Sequence, residues 1–238
     1  MVEALNGLFG RLAETLEKER RFTANAAHEL RTPLAAIKVH AQNLASDTTE
    51  ERSQRGARSI INGVDRMTRV VEQLLTLSRL ESGEGMNRQM VGLKRLGREL
   101  QRDMQPLVER RGIRFTQEIP DALQIHSYEN GLYVLLRNLL DNALRYTPED
   151  GEVRLRMWQT GDRLHIEIAD SGPGIAVAER ERVFERFVRL AGQQTSGSGL
   201  GLSIVQELAE RLGGEIRLDQ TSLPVDSGLS VHVTLPLE

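Results

Sequence analysis

Apolar residues recur at three- and four-residue steps from Leu5 to about Ala45 (Leu5, Phe9, Leu12, Leu16, then Phe22, Ala26, Leu30), with no glycine after Gly10. This period predicts one long amphipathic helix. Ser46-Asp47-Thr48-Thr49 interrupts it, and a second helical run from about Glu51 to Leu80 carries Ile60, Val64, Met67, Val71, Leu74 and Leu77 along one stripe. Two such helices form a hairpin with one apolar face uncovered. Pairing with a second copy covers that face and makes a dimeric four-helix bundle.

Ser82-Gly83-Glu84-Gly85 cannot continue a helix cheaply and is expected to be a hinge. Beyond it the period changes. Helical stretches (Leu93 to Arg110, Ser127 to Tyr146, Gly199 to Leu212) alternate with two-residue patterns at Val153/Leu155/Met157, Leu164/Ile166/Ile168 and Val231/Val233/Leu235. Thr160-Gly161-Asp162 is placed to turn a hairpin between the first two strands, and Gly213-Gly214 to stop the last helix before a terminal hairpin. The expected organisation is multi-domain. Residues 1–20 are expected to be the end of a coiled coil, 21–82 an all-α helical hairpin, 83–90 the hinge, and 91–238 an α+β sandwich with a largely antiparallel sheet.

Composition narrows the chemistry. The 238 residues are 39% hydrophobic and 27% charged, enough for one or two packed domains, and a net charge of −3 gives no general attraction to nucleic acid. No cysteine is present, so disulfides, thiolate nucleophiles and cysteine-ligated metals are excluded. No apolar stretch approaches the roughly 20 residues that span a bilayer, so the chain as given is expected to be soluble.

Four segments carry candidate chemistry. Asp170-Ser171-Gly172-Pro173-Gly174 follows the strand Leu164 to Ala169. A carboxylate there can accept from an exocyclic amine such as that of adenine, and Gly172 and Gly174 permit close approach; alone, the pentapeptide fits an Asx-type turn equally well. Asn138 and Asn142 lie four apart on one helix face, where their amide carbonyls are hard oxygen ligands for Mg²⁺; Arg145 and Tyr146 follow, a charge and a ring for a nucleotide. Gly197-Ser198-Gly199-Leu200-Gly201-Leu202 opens a helix whose free N–H groups and dipole can hold phosphate, though it matches neither the P-loop nor the dinucleotide pattern. Between these, Val183 to Arg189 is a short amphipathic run, and the polar tract from Gly192 to Ser196 suits a lid.

The fourth segment is Phe22-Thr23-Ala24-Asn25-Ala26-Ala27-His28-Glu29-Leu30-Arg31-Thr32-Pro33-Leu34. Thr32 stands one turn beyond His28 on the same face, and Pro33 predicts a local bend beside it. The zinc motif H-E-x-x-H is ruled out because threonine occupies the second ligand position.

This ordered set resembles the sensor histidine kinases of two-component systems, with an H-box at His28, an N-box from Asn138 to Pro148, the D-x-G-x-G box, an F-box and a second glycine box. Within the family it is most similar to the QseC and PmrB type. The resemblance implies a dimerisation and histidine-phosphotransfer domain followed by an ATP-binding domain of the Bergerat fold. It further implies that Asp170 binds the adenine amine and Tyr146 packs on the base. Asn142, helped by Asn138, would ligate Mg²⁺, and Arg145 and Arg189 would meet the phosphates. His28 would then take the γ-phosphoryl group with Glu29 as its polarising partner, and Thr32 would orient water for dephosphorylation of a cognate response regulator. A related ATPase that only drives conformational change is disfavoured, because Asn138 stands where those enzymes carry the water-activating glutamate. A non-catalytic scaffold would have lost Asn142, Asp170 or the glycines. The expected partners are a second copy and the regulator, with no nucleic acid. The expected setting is the cytoplasmic side of a bacterial inner-membrane receptor, of which this chain would be a truncation.

Overall fold

The computed structural model describes residues 88–189 and 199–238, together with residues 30, 34, 35, 37–39, 41, 56, 57, 60, 63, 64, 67, 68 and 71. The chain divides into two compact units, Met1–Thr76 and Leu77–Glu238. In the first unit every described residue is helical, from both runs that the three-to-four-residue period predicts. His28, Glu29 and Thr32, the expected hinge glycines, the lid tract and Gly197 lie outside the described residues.

The second unit is an α/β sandwich. Its elements are β1 (Gln89–Gly92), α1 (Leu93–Arg111), β2 (Arg114–Glu118), β3 (Gln124–Ser127), α2 (Glu129–Tyr146), β4 (Glu152–Thr160), β5 (Arg163–Asp170), two 3₁₀ turns (Val177–Glu179 and Arg182–Phe184), α3 (Gly201–Arg211), β6 (Glu215–Gln220) and β7 (Leu229–Pro236). Five strands form one sheet in the order β2-β4-β5-β7-β6, and β1 pairs with β3 in a small second sheet.

The expected alternation is realised residue by residue. Val153, Leu155 and Met157 on β4, Leu164, Ile166 and Ile168 on β5, and Val231, Val233 and Leu235 on β7 are all buried. In register they face one another, Leu155 opposite Ile168 and Ile168 opposite Val231. Three helices cover this face, α1 packing on β2, α2 on β5, and α3 on β6 and β7. Their contribution is aliphatic: Leu96 and Leu100 from α1, Leu132, Leu135, Leu136, Leu139, Leu140 and Leu144 from α2, and Ile204 and Leu208 from α3 are sealed from solvent. Truncating any one of these to alanine costs about 2–5 kcal/mol. The β4–β5 hairpin turns at Gly161, whose φ of 62° is a conformation glycine adopts without strain.

Two features depart from the sequence expectation. Ser127 closes β3 and α2 begins at Glu129, and the largely antiparallel sheet contains one parallel pair, β2 with β4. β2 (Arg-Phe-Thr-Gln-Glu) is an edge strand and lacks the apolar alternation of the central strands, which is why its sequence does not announce it.

The opposite face of the sheet is polar, and one of its groups is buried. Glu167 is 3% exposed, with Arg156 Nη1 at 3.6 Å and Arg154 Nη2 at 3.7 Å from Oε2, and His232 Nε2 at 3.8 Å from Oε1. Removing its carboxylate leaves Arg154 partly buried without its counter-charge. Glu167→Ala is therefore expected to destabilise the second unit by about 3 kcal/mol, seen as a lower denaturation midpoint at unchanged slope.

Candidate functional site

Helix α2 is the wall on which the site is built. Its apolar stripe turns Leu135, Leu136, Leu139 and Leu140 into the core, and Asn138 and Asn142 project from another side, spaced one turn apart. Asn138 Nδ2 donates to the Val134 carbonyl at 2.8 Å. The Asn142 side chain makes no hydrogen bond to any described residue.

The first residue of α3 lies directly over these amides. A Cβ at Gly201 would stand 3.3 Å from Asn142 Nδ2, 3.5 Å from Asn142 Oδ1 and 3.6 Å from Asn138 Oδ1. Glycine at this position lets the start of α3 approach both side-chain amides closely. Leu200, just before the helix, is fully buried, and the Ser203 hydroxyl donates to its carbonyl at 2.9 Å. The helix start is thus anchored.

The turn after β5 joins the other end of α2. A Cβ at Gly172 would be 3.0 Å from the Tyr146 carbonyl oxygen, and one at Gly174 would be 2.9 Å from that of Gly228. These glycines therefore serve close packing of backbone on backbone, a reason beyond the approach of a ring that the sequence predicts. Asp170 is 5% exposed. Its Oδ1 accepts from the N–H of Gly172 at 2.8 Å and of Leu229 at 3.3 Å, and Oδ2 accepts from no described residue. Burial pushes the carboxyl up to about 6, against the pull of those two N–H groups.

The remaining predicted residues are placed as follows. Tyr146 ends α2 beside the turn, half-buried. Arg145 is paired with Asp141 one turn back, at 2.6 Å between Nε and Oδ2. Phe187 takes a φ of 67°, rare for an aromatic residue, and donates its N–H to the Gly199 carbonyl at 2.9 Å, tying the amphipathic run to the glycine segment. Arg189 is exposed at the end of that run. Sequence reasoning missed Leu229 and Gly228, which touch Asp170 from 59 and 58 residues away, and also Arg111, whose guanidinium donates to the Leu144 carbonyl at 2.9 Å and so caps the C-terminus of α2.

Residues 18–83 match the His Kinase A (phospho-acceptor) domain, and residues 127–238 match the histidine kinase-, DNA gyrase B- and HSP90-like ATPase domain. The chain belongs to the sensor histidine kinase family. It is 34% identical over 239 residues to the sensor protein kinase PmrB of Pseudomonas aeruginosa, covering 99% of this chain and 49% of that protein. To the sensor protein QseC of Escherichia coli it is 38% identical over 221 residues, covering 90% and 47%. The chain spans about half the length of these kinases. The solved structure of the mycobacterial sensor histidine kinase MprB is 32% identical and covers 63% of this chain and 97% of that one, with a TM-score of 0.55. As in a histidine kinase, ATP use falls to the ATPase domain. Among the described residues no helix is long and apolar enough to cross a membrane, and no group of three His, Cys, Asp or Glu side chains is arranged to hold a metal.

A raised carboxyl value has a definite consequence for stability. The folded value of about 6 exceeds the unfolded 3.8, so the fold favours the protonated form. The contribution of Asp170 is fully present below pH 4 and is lost as pH rises through about 6. Asp170→Asn removes this dependence, and the variant is expected to exceed the parent at pH 8 by on the order of 2–3 kcal/mol in denaturant unfolding, with the difference vanishing near pH 4.

Proposed function

We propose that this chain is the cytoplasmic catalytic portion of a membrane-embedded, dimeric sensor kinase that uses ATP and Mg²⁺ to phosphorylate its own His28 and passes the phosphoryl group to an aspartate of a cognate response regulator. The observation that carries this reading is the meeting of Asn138, Asn142 and the start of α3 at Gly201, on the same helix whose far end holds the Asp170 turn. One end of α2 is furnished for a base and the next turns for phosphate and its counter-ion.

In this reading Asp170 Oδ2 accepts the adenine amine and Tyr146 packs beside the base, with Gly172 and Gly174 holding the turn. Asn142 and Asn138 offer amide oxygens to Mg²⁺, which neutralises phosphate charge when bound. Their hard donors suit an ion that keeps waters and phosphate oxygens. The N–H groups of the segment Gly197, Gly199, Leu200 and Gly201 receive the phosphates, with Arg145 and Arg189 as cationic partners. Arg145 would exchange Asp141 for phosphate.

The neutral imidazole of His28 attacks the γ-phosphorus in line. A nitrogen–phosphorus bond forms, the bond to the bridging oxygen breaks, and ADP leaves with the electron pair. Glu29 accepts a hydrogen bond from the other ring nitrogen and stabilises its developing positive charge. Thr32, one turn along, orients water for removal of phosphate from the regulator; a relative from Mycolicibacterium smegmatis, 35% identical over 249 residues, is named a kinase/phosphatase. Dimerisation is supported by the exposed apolar side chains Leu34, Val39, Val64 and Val71 on the helices of the first unit.

Incubation with γ-labelled ATP and Mg²⁺ tests the reading. The parent chain is expected to acquire acid-labile label, His28→Ala to acquire none, and Asn142→Ala to fall at least about a hundredfold in rate while remaining folded. Label retained by His28→Ala, or a normal rate in Asn142→Ala, contradicts it.

A further inference from the structure

We infer that Gly228 and the backbone N–H of Leu229, at the start of the last strand, form a positioning element that aims Asp170 at its ligand. Three observations meet here. The Leu229 N–H donates to Asp170 Oδ1, the same oxygen that receives the Gly172 N–H. A Cβ at Gly228 would lie 2.0 Å from the Asp170 carbonyl oxygen, 2.8 Å from Thr221 Cβ and 2.9 Å from Thr221 Cγ2. The Gly228 carbonyl in turn fills the space that a side chain at Gly174 would need. Gly228 also has a φ of 152°, where an L side chain is strained.

The consequence is geometric. The strand register sets Ala169 opposite Ser230, so the next residues in the ladder direction are Asp170 and Leu229. Leu229 pairs with Gln220 on its other side, and the Thr221 N–H closes the turn on the Gly228 carbonyl at 3.3 Å. The Leu229 N–H is thereby turned away from β6 and toward β5, where Asp170 waits. With both available N–H donors committed to Oδ1, rotation of the carboxylate is opposed and Oδ2 is the oxygen left to a ligand. Oδ2 is not among the buried atoms without partners, so it is open to one. Two donors on one oxygen also favour the charged form that an amine requires, working against burial.

This positioning role rests on the reading that Asp170 receives the adenine amine, and the test separates the two. In amide spectra of the labelled full chain, the Leu229 proton is expected to shift with pH through about 6, with the same midpoint as the Asp170 carboxyl signal, and to shift again when ADP is added. A Leu229 amide indifferent to the Asp170 titration overturns the inference. The second arm replaces the N–H with Leu229→Pro and compares ADP with inosine diphosphate, which carries a carbonyl in place of the amine. The parent is expected to prefer ADP, and the variant to lose about ten- to a hundredfold in ADP affinity with little change toward inosine diphosphate. Equal losses for both nucleotides, or none, overturn it; if Leu229→Pro does not fold, the spectra of the parent decide. A parent chain with no preference for ADP defeats the adenine reading alone, because the coupled titration of Leu229 and Asp170 stands independently of it.

Discussion

The carboxylate of Asp170 sits at the end of a central strand, nearly sealed from water, where its charge costs the fold free energy. Two backbone N–H groups hold it there, and the turn that contains one of them packs closely because Gly172 has no side chain to meet the Tyr146 carbonyl. This fixes the end of α2 against the end of β5. Once α2 is fixed, Asn138 and Asn142 are fixed with it, and the start of α3 has one place to go. The site is thus a consequence of packing a strand end against a helix end, with glycine wherever two backbones meet.

Much of this was legible in the chain. Alternating apolar residues located β4, β5 and β7 because those strands are central and half-buried, and the three-to-four-residue period located all three helices because each covers the same sheet face. Asn138 and Asn142 were readable as neighbours from helical geometry alone. What escaped reading has a common cause. β2 is a polar edge strand whose pairing with β4 is set by tertiary context, and β1 and β3 are only four residues each. The contact of Leu229 with Asp170 joins residues far apart in sequence through an N–H that every residue except proline possesses. A backbone donor leaves no mark in the residue types.

The two faces of the sheet divide the labour. The face under the helices is aliphatic and supplies cohesion. The other face carries Arg154, Arg156 and the buried Glu167 they flank, with His232 beside Glu167 and Asp219. The Trp158 and His165 rings stack at 5.3 Å beside them, with the Arg156 guanidinium 5.3 Å from the Trp158 ring. Charge on this face is balanced within the sheet. On the other side the two asparagine amides stand beside the start of α3, where the positive end of the helix dipole favours a polyanion with its counter-ion.

The central claim is that one end of the sandwich, comprising the Asn138–Asn142 face, the Asp170 turn and the start of α3, is a single nucleotide site. Titrating the labelled chain with ADP and Mg²⁺ while following its amide signals tests this most directly. Gly172, Asn138, Asn142, Gly201 and Leu229 are expected to shift together along one saturation curve, with Arg156, Trp158 and His232 on the far face unmoved. Shifts confined to the far face, or separate saturation of Asp170's neighbours and those of Asn142, would contradict it.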